Sequence, residues 1–207
     1  MAALAEAVID HARRAYPAIA ANPDYASIIS DRHFHRLERL VRDAESAGAR
    51  VLRHTDANAA AARKIGPTVV VAPPEDGELM REEIFGPVLP IIPYDSLDGA
   101  VAYINARDRP LALYCFSRDA AIRDRVLSGT ISGDVTLNGT LLHIAQDDLP
   151  FGGVGQSGIG VYQGRDGFRR FSHPRGVFQV RGLNALGLFA PPYGKAADRL
   201  IRFLIRK

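Results

Sequence analysis

The sequence predicts an α/β fold built around a parallel sheet, and three observations support this prediction. Short β-branched runs, of which residues 68–72 (TVVVA) are the clearest, alternate with amphipathic helical segments. Strands that alternate with helices of this length pair in parallel through right-handed crossover connections. Apolar side chains make up 47% of the 207 residues and charged ones 24%, which is typical of a globular protein with a substantial core.

Helix boundaries follow from capping residues and apolar spacing. The first helix begins beside Met1 without a Ser, Thr, Asp or Asn cap, so we interpret it as a helix entered midway. The second has Ser30 or Asp31 as its cap, an apolar stripe along one side, and Gly48 as its stop. The predicted helices are residues 3–16, 30–48, 96–106 and 119–127.

Strand predictions rest on apolar, β-branched runs between turn residues. The run at residues 68–72 ends at Pro73 and Pro74, which is typical of a strand buried on both faces, and residues 88–92 have the same character. The predicted strands are residues 68–72, 88–92, 111–117 and 134–137.

A segment rich in glycine and polar residues, residues 138–160, has no clear period. Long loops in compact domains are usually functional or disordered. Leu149, Phe151 and Ile159 favour an ordered loop that packs on its domain.

This loop contains Gly153, Gly155 and Gly158 at the spacing of a dinucleotide-binding fingerprint. Such a fingerprint has to lie directly between a strand and a helix, with an acidic residue about 20 positions later. Pro150 precedes these glycines and Gly160 follows them, so the sequence favours a turn-rich loop with several positive φ angles.

Glu83 and Phe85 stand in REEIFGPVLP, where a Gly-Pro turn precedes a predicted strand. Loops at strand ends are where α/β sheets bind ligands. The carboxylate can accept hydrogen bonds from two ribose hydroxyls, and the aromatic ring can pack on a flat heterocycle. Judged from the residues alone, a solvated Glu beside a core Phe is the favoured alternative.

The single cysteine, Cys115, excludes an intramolecular disulfide and favours a reducing compartment, with the cytoplasm as the expected location. It lies in the alternating segment LALYCFS, without a sequence neighbour that would activate it. We therefore predict a buried structural thiol and not a nucleophile.

The histidines leave two interpretations open. His143 lies inside the glycine-rich loop, where a ligand contact and a histidine satisfied by backbone groups are both possible. His33 and His35 are two positions apart on a helix and so point to different faces. No metal site is predicted, because no second His or carboxylate completes a set at a recognised spacing.

Charge patterning limits the classes of partner. The net charge is +3, but Arg and Lys are spread along the chain, so nucleic-acid binding is not favoured. Glu6 and Asp10 interrupt the N-terminal apolar run, which argues against a signal peptide, and no stretch reaches the ~18 apolar residues that span a bilayer.

The tail, residues 191–207, predicts a basic amphipathic helix. Such a helix can lie on an anionic membrane surface, or it can pack its apolar face on its own domain or on a sister subunit. Arg202 breaks the apolar run, which is too short to cross a bilayer, and of the two remaining interpretations we favour packing.

Four segments resemble the aldehyde dehydrogenase superfamily, and they occur in the family's order across nearly the whole chain. EEIFGP is highly specific for the superfamily, while PDYASIIS and HIAQDDLPFGGVG are most similar to its coniferyl and long-chain aldehyde dehydrogenase branch. The segments are NPDYASIISDRHFHRL, EEIFGPVLPI, INARDRPLALYCFSRD and LPFGGVGQSGIGVYQGRDGFRRFSHPR.

The resemblance implies a reaction and a set of site residues. In this family a cysteine attacks an aldehyde, hydride passes to NAD or NADP, and water releases the carboxylic acid. The resemblance assigns Glu83 to the nicotinamide ribose and places Phe85 beside the nicotinamide. It places Phe151 in the wall of the substrate funnel, with His143 near it.

The resemblance also implies that part of the enzyme lies elsewhere, because the nucleophilic cysteine, the general-base glutamate and the oxyanion asparagine belong upstream of these segments. We therefore expect no catalytic residue in this chain, and a C-terminal portion that is inactive alone. The expected organisation is an incomplete parallel-sheet catalytic domain (1–172), an oligomerisation strand segment (173–190) and the terminal helix (191–207). The expected partner is a second copy, as a homodimer; the alternative is a non-catalytic protein that pairs with a full-length homologue.

Overall fold

The computed structural model describes residues 1–182, 191 and 193–205. The chain forms two compact units, Met1–Tyr103 and Ile104–Lys207. Helices alternate with short strands along both units, so the predicted α/β class is confirmed. The boundaries at 172 and 190 that we expected between a catalytic domain, a strand segment and a tail remain predictions.

The first unit is built on a three-stranded sheet with β2 at its centre. β2 pairs in parallel with β3, with Thr68 opposite Val88, as the alternation of strands and helices predicted. It pairs antiparallel with β1, with Arg50 opposite Val71, and the sequence had not indicated this strand. The strands are β1 (Arg50–Arg53), β2 (Thr68–Val71) and β3 (Val88–Ile91).

Helices cover both faces of the central strand. Val69 packs in a cluster with Ala5 and Ile9 of α1 (Ala2–Ala15), while Val70 packs with residues of α2 (Asp31–Ser46). Because successive strand residues point to opposite faces, β2 is buried on both sides, as predicted.

The prediction that β3 shares this burial on both faces is wrong. Val88 is buried, but the next residue, Leu89, is 47% exposed. Within the described residues, β3 is an edge strand of this sheet and pairs with β2.

The ends of α2 lie where the capping residues indicated. The side chain of Ser30 accepts a hydrogen bond from the backbone N–H of His33 at 3.2 Å, and the helix ends two residues before Gly48. α1 starts without a side-chain cap, as its sequence suggested. Two shorter segments complete the helices that begin in this unit, α3 (Glu78–Arg81) and α4 (Leu97–Asn105).

Asp56 fixes the chain that follows α1. One of its carboxylate oxygens accepts the backbone N–H groups of Ile19 at 2.9 Å and Ala20 at 2.8 Å, and the other accepts that of Asn58 at 3.0 Å. These hydrogen bonds, with that of Ala20 the largest contribution, lower the pKa of Asp56 below its ordinary value of 3.8.

We expect Asp56 to make the folded state acid-sensitive. Since its pKa is lowered by folding, its contribution is present above pH 3.8 and is lost as the pH falls through the folded-state pKa. Asp56→Asn should therefore show a smaller loss of unfolding free energy than the wild type when urea denaturation is repeated from pH 5 down to pH 2. Identical pH dependence in the two proteins would contradict this role.

The second unit contains a parallel pair, β4 and β5, joined through α5. Asp119 caps α5 by accepting the backbone N–H of Ala121 at 2.8 Å, as the predicted start of that helix requires. The elements are β4 (Ala112–Cys115), α5 (Ala120–Gly129), β5 (Asp134–Leu137), α6 (Gly164–Arg170) and α7 (Lys195–Ile205).

The glycine-rich loop is ordered by a bridge between Phe151 and Tyr162, whose backbones exchange two hydrogen bonds of 2.8 Å. Gly155 and Gly158 have φ of 65° and 151°, so the predicted turn-rich loop is confirmed. A short 3-10 helix occupies this stretch in place of the strand, turn and helix that a dinucleotide fingerprint needs.

Packing in this loop differs from expectation at two of its three apolar residues. Phe151 is partly buried, as predicted. Leu149 is 48% exposed and Ile159 is 88% exposed, so the prediction that they pack on the domain is wrong.

Residues 173–182 form no strand within the described part of the chain, and Phe178 is 90% exposed. An oligomerisation strand needs a partner chain, so that expectation remains a prediction, and residues 183–190 of the same segment lie outside the described residues. The predicted terminal helix is present as α7, although Arg206 and Lys207 lie outside the described residues.

The apolar face of α7 is open near its end, where Phe203 and Ile205 are each 75% exposed. Packing on a sister subunit and binding to an anionic membrane surface both remain predictions. Co-sedimentation of the chain with anionic vesicles would support membrane binding, and its absence would contradict it. Among the described residues, no helix has the length and apolar character needed to cross a membrane.

Candidate cofactor and substrate sites

Glu83 and Phe85 lie in the irregular segment that joins α3 to β3, residues 82–87. Both side chains are exposed, and the ring of Phe85 is 73% exposed. The interpretation that the residues alone favoured, a core Phe beside a solvated Glu, is therefore wrong for the Phe. An exposed aromatic ring next to an exposed carboxylate is a surface that can receive a ligand.

Two side chains of α2 hold the backbone of this segment. The guanidinium of Arg36 donates to the carbonyl oxygens of Glu83 at 2.7 Å and Ile84 at 2.8 Å. Nε2 of His33 lies 2.8 Å from the carbonyl oxygen of Phe85, which can only accept, so this nitrogen carries the hydrogen. Neither role was predicted from the sequence, although residues three apart on a helix share a face and this spacing was a usable signal.

The conformation of Phe85 is unusual for a residue with a side chain. Its φ is 52°, in the left-handed region, which costs roughly 1 kcal/mol for a residue other than glycine. Gly86 follows it and lies against α2, where a Cβ atom would come within 2.5 Å of Cδ1 of Leu37. The hydrogen bond from His33 and the contact with Leu37 thus stabilise a backbone that would otherwise relax.

The two adjacent carboxylates of the segment, those of Glu82 and Glu83, differ in their partners. The guanidinium of Arg36 forms an ion pair with the carboxylate of Glu82 at 2.9 Å. The carboxylate of Glu83 has no hydrogen bond or ion pair with any described residue, so its oxygens are free to accept hydroxyl groups from a ligand.

The helix before the segment is tied to α2 by a second ion pair. Both carboxylate oxygens of Glu78 accept hydrogen bonds from the guanidinium of Arg39, one of them at 2.7 Å. The hydrogen bond from Arg39 lowers the pKa of Glu78 to about 2. Arg36 and Arg39, one turn apart, therefore fix two consecutive parts of the chain.

His143 and Phe151 are brought together in the second unit. Their rings stack at a centroid distance of 6.1 Å and an angle of 21°, and the ring of Phe151 also meets Tyr162 edge-on at 5.4 Å. His143 is buried, and its Nδ1 lies 2.7 Å from the hydroxyl oxygen of Thr136 on β5. The interpretation that backbone groups satisfy the ring of His143 is wrong for Nδ1, because its hydrogen-bond partner is the side chain of Thr136.

Apolar side chains of the same loop are exposed around this pair. Leu141 and Leu142 are each 64% exposed, and Ile144 is 45% exposed. An exposed apolar group of this kind marks a surface that binds an apolar ligand or another protein surface.

Cys115 is a buried free thiol in β4, as predicted. The same residue's backbone carbonyl accepts a hydrogen bond from the N–H of Asn138 at 2.8 Å, which joins the ends of β4 and β5. In the described part of the chain, no group of three or more His, Cys, Asp or Glu side chains is placed to hold a metal ion.

Related sequences cover most of this chain. A sequence model of the aldehyde dehydrogenase family matches residues 2–177. The chain is 47% identical over 201 residues to a probable coniferyl aldehyde dehydrogenase of Caulobacter vibrioides, covering 94% of this chain and 41% of that protein. It is 43% identical over 195 residues to the coniferyl aldehyde dehydrogenase of a Pseudomonas species, covering 92% and 40%. The chain thus spans about 40% of the length of these curated relatives.

Solved structures agree with the sequence comparison. The substrate-bound state of Staphylococcus aureus AldH superposes with a TM-score of 0.81 at 37% identity, covering 96% of this chain and 43% of that one. Betaine aldehyde dehydrogenase of the same organism, solved in complex with NAD+, superposes with a TM-score of 0.67 at 25% identity, covering 80% and 34%. This chain belongs to the aldehyde dehydrogenase family.

Proposed function

We propose that this chain is the C-terminal portion of an NAD(P)-dependent aldehyde dehydrogenase that oxidises a coniferyl, other aromatic or long-chain aldehyde to its carboxylic acid. The observation that carries the proposal is the geometry of residues 82–87. Their backbone is held against α2, while the carboxylate of Glu83 and the ring of Phe85 are left exposed.

The exposed pair fits the nicotinamide end of a dinucleotide. The carboxylate of Glu83 accepts hydrogen bonds from the two ribose hydroxyls, and the ring of Phe85 packs beside the planar nicotinamide. The bound cofactor supplies the hydride acceptor for the oxidation. A relative was solved with NAD+, and another, from rat, is named NADP-preferring, so the proposal includes both cofactors.

The second pair fits the wall of a substrate pocket. Phe151 contributes an aromatic surface, and His143, buried behind it, keeps the ring in place by stacking. Leu141 and Leu142 of the same loop are exposed as well, and apolar side chains of this kind suit an aromatic or long aliphatic aldehyde. The names of two relatives, both coniferyl aldehyde dehydrogenases, support the aromatic class.

Glu83 is tested in a complete enzyme made by joining this chain to the N-terminal portion of the Caulobacter vibrioides relative, called here the joined enzyme. We expect Glu83→Gln to slow hydride transfer about 10-fold to 100-fold in single turnovers, because the nicotinamide is misplaced, with acyl release less affected. Phe85→Ala should act on the same step.

The matched control is Glu45→Gln, which removes an exposed carboxylate from α2 outside the segment. It should leave both steps unchanged. If Glu83→Gln shows wild-type hydride kinetics, Glu83 does not contact the cofactor and the proposal loses its main support.

A second candidate function is a non-catalytic protein that pairs with an intact homologue. The observation that favours it is the open apolar surface at residues 173–182, where Val177 is 79% exposed and Phe178 is 90% exposed. Size-exclusion chromatography of the chain, alone and mixed with the Caulobacter vibrioides relative, tests this candidate. A mixed complex supports pairing, and separate elution contradicts it.

A further inference from the structure

We propose that His33 and Arg36 are positioning residues for cofactor binding, because they hold the backbone of Glu83, Ile84 and Phe85 in the conformation that presents the two contact side chains. This inference rests on the proposed function, since it assumes that Glu83 and Phe85 contact the nicotinamide end. It adds a role for two residues of α2 that act through the backbone of this segment.

The backbone of the segment is held by hydrogen bonds from two side chains of α2. The three consecutive carbonyl groups accept from the side chains of Arg36 and His33 at 2.7 to 2.8 Å. In the described part of the chain, no backbone N–H donates to any of them. The conformation of this stretch therefore depends on two side chains that lie about 50 positions earlier in the sequence.

α2 provides a rigid support for these two side chains. Leu37 and Leu40 are fully buried, and they anchor the side of the helix that faces the core. His33 lies in the first turn, where its own N–H bonds to the capping hydroxyl of Ser30. Because the cap and the buried residues fix the backbone of the helix, they also fix the positions from which the side chains of His33 and Arg36 reach the segment.

The backbone of Phe85 is held in a conformation that favours relaxation in one direction. Phe85 has φ of 52°, and an extended backbone is lower in energy for this residue. Without the bond from His33, we expect rotation about this backbone to turn the ring away from its present position. A shift of this kind moves the reacting groups out of alignment, since about 1 Å of misplacement can slow a reaction about 100-fold.

The carboxylates of the two adjacent glutamates, Glu82 and Glu83, have different surroundings. Arg36 forms an ion pair with the carboxylate of Glu82. From Glu83 it contacts the backbone carbonyl oxygen and not the carboxylate. One carboxylate therefore balances the guanidinium, and the other stays free for hydroxyl groups. Loss of Arg36 removes its two hydrogen bonds to the backbone and also its ion pair with Glu82.

The first experiment measures amide hydrogen exchange in the 207-residue chain, without cofactor. The amide of Val88 donates to the carbonyl of Gly86 at 2.8 Å, so it reports on the turn directly after Phe85. His33→Ala and Arg36→Met should speed its exchange about 10-fold or more. His33→Gln should restore slow exchange, because the Gln amide can donate to the same carbonyl.

The second experiment uses the same variants in the joined enzyme. We expect His33→Ala and Arg36→Met to slow hydride transfer about 10-fold to 100-fold while acyl hydrolysis changes little, with His33→Gln recovering most of the rate. The matched control is Arg39→Met, one turn along α2, which breaks the ion pair with Glu78 and leaves the three carbonyl contacts intact.

Each outcome separates positioning from general stability. If Arg39→Met slows hydride transfer as much as Arg36→Met does, the effect is one of stability and the inference is overturned. If Glu83→Gln and Phe85→Ala slow the step but His33→Ala and Arg36→Met leave it and the Val88 exchange unchanged, only this inference fails. If Glu83→Gln and Phe85→Ala have no effect either, the proposed function fails and this inference falls with it.

Discussion

The purified 207-residue chain is expected to oxidise no aldehyde, with or without NAD+ or NADP+. Its single cysteine is 8% exposed and is held in β4, so it is not available to attack a carbonyl carbon. An enzyme that lacks its nucleophile typically loses activity by a factor on the order of 10⁶. The absorbance of reduced cofactor at the highest usable protein concentration is the measurement.

Cys115→Ser provides the control for this expectation. The substitution should change neither the absence of turnover in the chain nor the rate of the joined enzyme, because we assign the thiol to the core of the second unit. Turnover by the chain that disappears in Cys115→Ser would contradict both the buried-thiol assignment and the proposal that the nucleophile lies outside these residues.

Leu37→Ala is expected to destabilise the first unit by about 3 kcal/mol. Leu37 is fully buried in a cluster with Ile28 and Ile65, and its methyl groups lie against Gly86. Removing them leaves a cavity beneath the turn that follows Phe85. Urea denaturation followed by circular dichroism measures the change in unfolding free energy.

An exposed position of the same helix supplies the comparison. Arg42 lies on the solvent side of α2, and Arg42→Ala should change the unfolding free energy by less than about 0.5 kcal/mol. Equal effects of Leu37→Ala and Arg42→Ala would show that the cluster around Leu37 contributes little to stability.

Much of the fold could be predicted because its signals are local. The cap at Ser30 and the run of valines in β2 act on neighbouring residues, and both are confirmed. β1 could not be predicted in this way, because its four residues, RVLR, begin and end with arginine and show no alternation. Its pairing with β2 depends on contacts between residues about 15 to 21 positions apart, which no local pattern contains.

The candidate site could be predicted only in part, for the same reason. The segment around Glu83 and Phe85 was found from its position ahead of a strand, but the hydrogen bonds that its backbone accepts from His33 and Arg36 were not predicted. The partner of His143 is likewise a side chain on β5, seven positions away. Composition favours a buried Phe and leaves the environment of His143 open, and tertiary contacts determine both.

The close approach of Gly86 to Leu37 has a consequence for how this part of the sequence can vary. A methyl group at position 86 would occupy the space that Cδ1 of Leu37 now fills, so the two residues share one volume. A larger residue at position 86 would therefore force the side chain of Leu37 or the turn itself to shift. Shape, as well as hydrogen bonding, thus couples α2 to the segment that presents Glu83 and Phe85.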